Sequence, residues 1–388
     1  MKRILYWGNI PGIEDNLDPI INYENKMRVI KNITVPYFYY ARSGPIFELD
    51  SITFDQETID SINKTGLYFY MYEPLGLRCP DFDGLAYEGE FIDTVPYQEI
   101  RSNDLDSIKT FCERNNLDNV TVYVCDYNVQ KIQTQYSGLK LKCLDTFLRG
   151  VDYDEEYNTI ENKIEKKFWC GNWRYTPHRH IMTAYLIQKP GNYSWNLQCD
   201  FETIKNNCWF DFENLKNTSR YDELRHGIEI LKSNVFSIDQ ITNTVNVDNA
   251  QNYYVPGPNP GISKELIESY KECFCAVVNE SKYASPLSYI SEKTLTAINV
   301  KLPFLLVAPP YGLEYLKKLG FKTFDRWWDE SYDQEENHQT RMLMLFDIID
   351  YIDSKSLEEL SAIYEEMQET LLYNLEILKT VPYYSTVL

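Results

Sequence analysis

The 388-residue chain has no apolar run approaching the roughly 20 residues that cross a bilayer, which excludes a membrane span and predicts no membrane partner. It has no Cys-x-x-Cys pair, and its nine cysteines are an odd number set mostly inside strand-like runs such as Cys273-Phe274-Cys275. That pattern argues against a disulfide framework or a zinc site and predicts reduced, buried thiols. Histidine is scarce: His178, His180, His226 and His338 show no zinc-ligand spacing. A Gly-x-Ser-x-Gly elbow is missing, so a Ser-His-Asp hydrolase is disfavoured. The apolar stretch within Met1-Lys2-Arg3-Ile4-Leu5-Tyr6-Trp7-Gly8 is too short for a signal peptide and reads as a first strand, giving a cytoplasmic expectation in which the Asn-x-Ser/Thr sequons are incidental. Excess positive charge is lacking too. The net charge is −20, which weighs against broad binding to nucleic acid or anionic lipid.

What is abundant is aromatic surface. With 32 tyrosines, 18 phenylalanines and 7 tryptophans, the chain can bury far more than a disordered segment does. Its length suits two domains better than one core. Charge is unevenly spread. Between Asp325 and Glu369 fourteen acidic residues face only Arg326, Arg341 and Lys355. Between Lys163 and His180 the sign reverses, with Lys163, Lys166, Lys167, Arg174 and Arg179 against Glu165 alone, which suggests a site for a small anion such as a phosphate.

Strand-like runs at Arg3–Gly8, Gly66–Tyr72 and Val120–Asp126, with a helical pattern at Leu105–Asn115, predict an α/β layer of parallel strands. A polar stretch from Gly150 to Lys167 reads as a linker. A second α/β series follows: strand Lys167–Gly171, helix Thr176–Lys189 opened by Pro177, strand Cys273–Asn279, helix Ser291–Asn299, strand Pro303–Ala308, helix Tyr311–Leu319 stopped by Gly320, and a short strand Lys322–Phe324. Two acidic amphipathic helices, about 339–353 and 356–379, close the chain. The expected fold is two Rossmann-like domains, 1–155 and 166–350, followed by a C-terminal segment, 351–388, with a ligand cleft between the domains.

Two segments could carry chemistry. In Phe168-Trp169-Cys170-Gly171-Asn172-Trp173-Arg174-Tyr175-Thr176-Pro177-His178-Arg179, a strand ends, a loop follows and a helix starts beside two arginines, a constellation suited to a pyrophosphate. The plainer reading is a pair of solvated arginines. In the segment from Asn279 to Thr294, Glu292 sits in the first turn of a helix, where it could accept bonds from ribose hydroxyls; the plainer reading is that Ser291 and Glu292 only cap that helix.

Taken in order, Pro177-His178-Arg179, Ser291-Glu292-Lys293, Pro303–Val307, Leu319–Phe324 and Asp329-Glu330-Ser331-Tyr332-Asp333 resemble a group of phage and large-virus GT-B-type glycosyltransferases, loosely exostosin-like, over roughly residues 166–345. A weaker similarity runs to the DNA β-glucosyltransferases of T-even phages. The resemblance implies a GT-B fold of two Rossmann-like domains facing a central cleft, with a last helix crossing back to the first domain. It implies transfer of a sugar from a nucleotide-diphosphate sugar, UDP favoured, with no tightly bound cofactor and no essential metal. Asn172, Arg174, Arg179, Ser291, Glu292 and Lys293 would hold the donor, with Tyr283 and Tyr289 as sugar or base contacts.

The catalytic carboxylate would come from the first domain, where Glu73 and Asp126 each follow a predicted strand. Both also suit a turn or helix cap. Three Asp-x-Asp triplets are no more than chance supplies in so acidic a chain. The acceptor is a glycan, a protein or a hydroxymethylated base of phage DNA. From a different class, the chain could be a non-enzymatic carbohydrate-binding protein with a transferase-like fold.

Overall fold

The computed structural model describes residues 5–7, 37–40, 54, 56–71, 97–124, 127–143, 161–172, 176–194, 200–207, 209–233, 264–280, 282–284 and 290–380. They form two sheets, each with its own buried core, one drawn from residues between 59 and 141 and the other from residues between 168 and 378.

The first sheet contains β1 (Leu5–Trp7), β2 (Tyr37–Tyr40), β3 (Leu67–Met71), β4 (Val120–Val124) and β5 (Lys140–Cys143), in that spatial order. β1 runs antiparallel to β2, and the other pairings are parallel. Helix α1 (Gln56–Thr65) precedes β3 and α2 (Tyr97–Arg114) precedes β4. The apolar positions of α2, Leu105, Ile108, Phe111 and Cys112, are buried in the first core, as helical spacing requires. The helix begins eight residues before the apolar pattern does, through polar turns without periodicity. Between β4 and β5 the chain makes a 3₁₀ turn, Val129–Tyr136, clamped by Gln133, whose amide accepts from Leu141 N (2.8 Å) and donates to Leu139 O (2.7 Å).

The second sheet is wholly parallel: β6 (Lys166–Gly171), β7 (Gly191–Ser194), β8 (Cys273–Asn279) and β9 (Phe304–Val307), in the spatial order β7-β6-β8-β9. Every residue of β8 is buried, as expected of a strand covered on both faces. Helix α3 (Pro177–Leu186) connects β6 to β7 and is buried at all ten positions. The helices α4 (Phe201–Asn207), α5 (Ser219–Ser233) and α6 (Lys264–Lys271) lie between β7 and β8 in the chain. Gly227 of α5 permits a close crossing with α3, because a Cβ there would overlap the carbonyl of Ala184. α7 (Glu292–Asn299) connects β8 to β9, and α8 (Gly312–Lys318) follows β9 and ends at Gly320, whose φ of +98° suits a glycine.

α9 (His338–Asp353) and α10 (Leu357–Thr380) close the described chain. α10 packs on α7, β6 and β8, so its described contacts are with the second sheet. No helix among the described residues is long and apolar enough to cross a membrane.

One predicted element is corrected. Lys322–Phe324 is not a strand. Both backbone polar groups of Lys322 bond the side-chain amide of Asn374 on α10 (2.8 Å each), and Phe324 N donates to Glu330 Oε1 (2.7 Å), so side chains take the place of a neighbouring strand. The basic run after Lys163 is partly engaged within the protein. Lys163 pairs with Glu165, Lys166 with Glu272 (2.9 Å) and Lys167 with Asp353 (3.0 Å), so three of its five cations serve ion pairs.

Candidate functional site

The order β7-β6-β8-β9 contains a reversal. The chain leaves β6 through α3 toward β7 on one side, and leaves β8 through α7 toward β9 on the other. In open α/β sheets the crevice at such a switch point, at the carboxyl ends of the strands, is where ligands bind. Here the switch lies between β6, ending at Gly171, and β8, ending at Asn279.

Glu280, the residue after β8, joins the elements around that point. Its N–H donates to Val307 O at the end of β9 (3.0 Å). Its carbonyl accepts from His178 Nε2 (2.9 Å) and Arg179 Nη2 (3.2 Å), both in the first turn of α3. Its carboxylate Oε1 accepts from Ser291 N (2.9 Å) and Thr294 Oγ1 (2.6 Å) at the start of α7. The Pro177-His178-Arg179 and Ser291-Glu292-Lys293 segments, over a hundred residues apart in sequence, therefore meet on one residue. Glu280 is only 1% exposed, and its Oε2 has no hydrogen-bond partner among the described residues.

Asn172 is buried just past β6 and donates to Cys170 Sγ (3.3 Å) and Thr183 Oγ1 (2.8 Å), which fastens the strand end to α3. Asn279 donates to the same sulfur (3.2 Å) from β8. Burial pushes the Cys170 thiol up to about 12, so it packs as an uncharged group. Among the other described cysteines, Cys112, Cys273 and Cys275 are buried free thiols and Cys143 is half-buried.

Arg179 is buried with its guanidinium turned toward Glu280. Ser291 caps α7, accepting from Lys293 N (3.3 Å) and Lys293 Nζ (3.0 Å), so the capping reading of that residue holds. Tyr283 lies in the core rather than on an open wall. Its ring stacks between His178 (5.5 Å) and Trp209 (5.2 Å), the Arg341 guanidinium sits 4.3 Å from its centroid, and its hydroxyl donates to His338 O (3.0 Å). Glu292 is the first residue of α7. Glu73, Asp126, Arg174 and Tyr289 lie outside the described residues.

Sequence reasoning passed over Glu280. The signal for it was an acid placed just after a wholly buried strand, a position where an unneeded charge would be costly. No group of histidine, cysteine and acidic residues suited to a metal occurs among the described residues. No protein-family model matches the chain, and no curated protein matches it.

Proposed function

We propose that the protein is a glycosyltransferase that takes a sugar from a nucleotide-diphosphate sugar, UDP-linked by preference, and passes it to a hydroxyl acceptor in a two-domain GT-B arrangement. The observation that carries this reading is the meeting of two helix starts on Glu280 at the switch point of the second sheet. Two helix N-termini with an adjacent arginine favour a diphosphate, since their free N–H groups and dipoles both attract negative charge. Arg179, with Arg174 from the preceding loop, stabilises the leaving diphosphate, and Asn172 keeps the strand end in register with α3. Ser291, Glu292 and Lys293 bind the nucleoside side of the donor, and Tyr289 shapes the pocket wall, with Tyr283 supporting the start of α3 from the core through its stack on His178. With cationic side chains for the diphosphate, the reaction needs no essential metal and no bound cofactor.

The carboxylate that accepts the proton of the acceptor hydroxyl comes from the first domain, Glu73 before Asp126. A cleft between the sheets is supported by Tyr127, the residue after Asp126. Its hydroxyl donates to Pro309 O (3.1 Å) just beyond β9, and its ring stacks on Tyr315 (5.0 Å). A glycan or protein acceptor suits the charge better than duplex DNA, because Lys163, Lys166 and Lys167 are held in ion pairs.

A thermal-shift screen against UDP, GDP, CDP, ADP and their common sugars, with and without EDTA, tests the reading. One nucleotide present at about 100 times its dissociation constant adds roughly 2.7 kcal/mol, with no change on chelation. A flat response to all of them rejects a nucleotide-sugar enzyme and favours a carbohydrate-binding protein.

A further inference from the structure

We propose that Glu280 is itself a ligand-binding residue: its second carboxylate oxygen accepts a hydroxyl of the nucleotide sugar, from the ribose or from the transferred sugar. The inference rests on the donor-site reading and adds a residue to it. A buried carboxylate oxygen without a partner is costly, so its persistence calls for a group that completes it. Among the described residues Glu280 Oε2 has none. Oε1 already accepts two bonds at the start of α7, which fixes the carboxylate plane, while the backbone is held by α3 and β9. The second oxygen is thus locked beside the place where a diphosphate would meet two helix starts. It is a pure acceptor there, so a hydroxyl matches it and another acceptor does not.

Glu280→Gln separates the structural work of this residue from the binding work. The Gln carbonyl oxygen still accepts from Ser291 N and Thr294 Oγ1, while the second position becomes an NH₂ donor facing a ligand hydroxyl that had been donating. The expected result is an unliganded midpoint close to that of the native protein and at least a tenfold rise in Kd for the nucleotide sugar, measured by titration calorimetry. Loss of UDP and UDP-glucose binding alike assigns the ribose hydroxyl. Loss of only the extra affinity of UDP-glucose over UDP assigns the sugar. Equal Kd for E280Q and native protein overturns the proposal while leaving the donor site standing.

If native protein binds none of the nucleotides, the donor-site reading falls and this inference falls with it. Should E280Q fail to fold, native protein titrated with UDP, 2′-deoxy-UDP, 3′-deoxy-UDP and UDP-glucose gives the answer from the ligand side. A tenfold or larger loss on removing one hydroxyl, or gain on adding the sugar, supports the role. Four equal affinities refute it.

Discussion

His178 and His180 stand two residues apart on α3, and both are completely buried. Burial in the protein interior disfavours the imidazolium, and it holds His180 down at about 3 and His178 well below the usual 6.5, with Arg179 adding to the effect at His178. The unfolded chain takes up a proton at each near pH 6.5, and the folded chain does not. Their depressed values therefore contribute stability that is present above pH 6.5 and lost as pH falls toward the folded values. From pH 7 to 5.5 the pair should remove about 2.5 kcal/mol from the unfolding free energy, and His338, held near 4, acts in the same direction. Glu330 and Asp333, which burial raises above their ordinary 4.5 and 3.8, oppose the trend, because the folded chain takes up their protons before the unfolded chain does as pH falls. Urea unfolding at the two pH values checks this; an unchanged free energy would mean the histidines are solvated.

Glu280 belongs to the same scale. Its position in the chain is that of a loop acid, and nothing in the local pattern says that Ser291 and Thr294 return to it.

Among the elements, Asn374 of α10 shows how a helix side chain can stand in for a strand. It is 2% exposed, and its amide both accepts from and donates to the backbone of Lys322. Asn374→Ala takes the side-chain partner from both part-buried backbone groups of Lys322 and should cost about 1–2 kcal/mol, read as a lower midpoint in urea. A loss below about 0.5 kcal/mol would show that water replaces the amide.

This contact also marks where sequence legibility ends. Cys273–Asn279 was readable residue for residue because six successive apolar positions closed by Asn279 have few other uses. Pro177 and Ser291 marked the starts of α3 and α7 for reasons of local stereochemistry. Lys322-Thr323-Phe324 offers the same apparent strand signal, but its partners sit 52 residues on and within Glu330, beyond any local pattern. Strands β2, β5 and β7 are only four residues each, and short polar runs such as Lys140–Cys143 carry no readable alternation. The capping of α8 by Asp333 is likewise non-local. That carboxylate accepts from Leu313 N (2.9 Å) and Glu314 N (3.0 Å), twenty residues back.

At the scale of the whole molecule, the uneven charge of the chain is partly answered within it. The acidic helix α9 meets basic residues around the second sheet: Asp350 pairs with Lys189 (3.3 Å) in the turn after α3 and with Arg220 (3.1 Å) on α5, and Asp353 with Lys167 (3.0 Å) of β6. Sign segregation along the sequence thus becomes pairing of α9 with α5, β6 and the turn after α3. Contacts between the two sheets among the described residues run through three residues of the first part. Tyr127 bonds Pro309 O and stacks on Tyr315, Asn128 Nδ2 donates to Pro310 O (3.3 Å), and Cys143 Sγ lies 3.6 Å from the Tyr315 hydroxyl. Tyr127→Ala, which removes the stack and one hydrogen bond, should enlarge the radius of gyration in small-angle scattering without ligand. An unchanged scattering curve would show that other contacts hold the parts together.

The central claim is that the carboxyl ends of β6 and β8 bind the donor, and hydrogen–deuterium exchange with and without the nucleotide sugar selected by the thermal-shift screen addresses it most directly. The account predicts slowed exchange in the first turns of α3 and α7, around His178–His180 and Lys293–Leu295, and in Glu280, with α9 and α10 unchanged. Protection confined to the first sheet, or to the acidic helices, would contradict it.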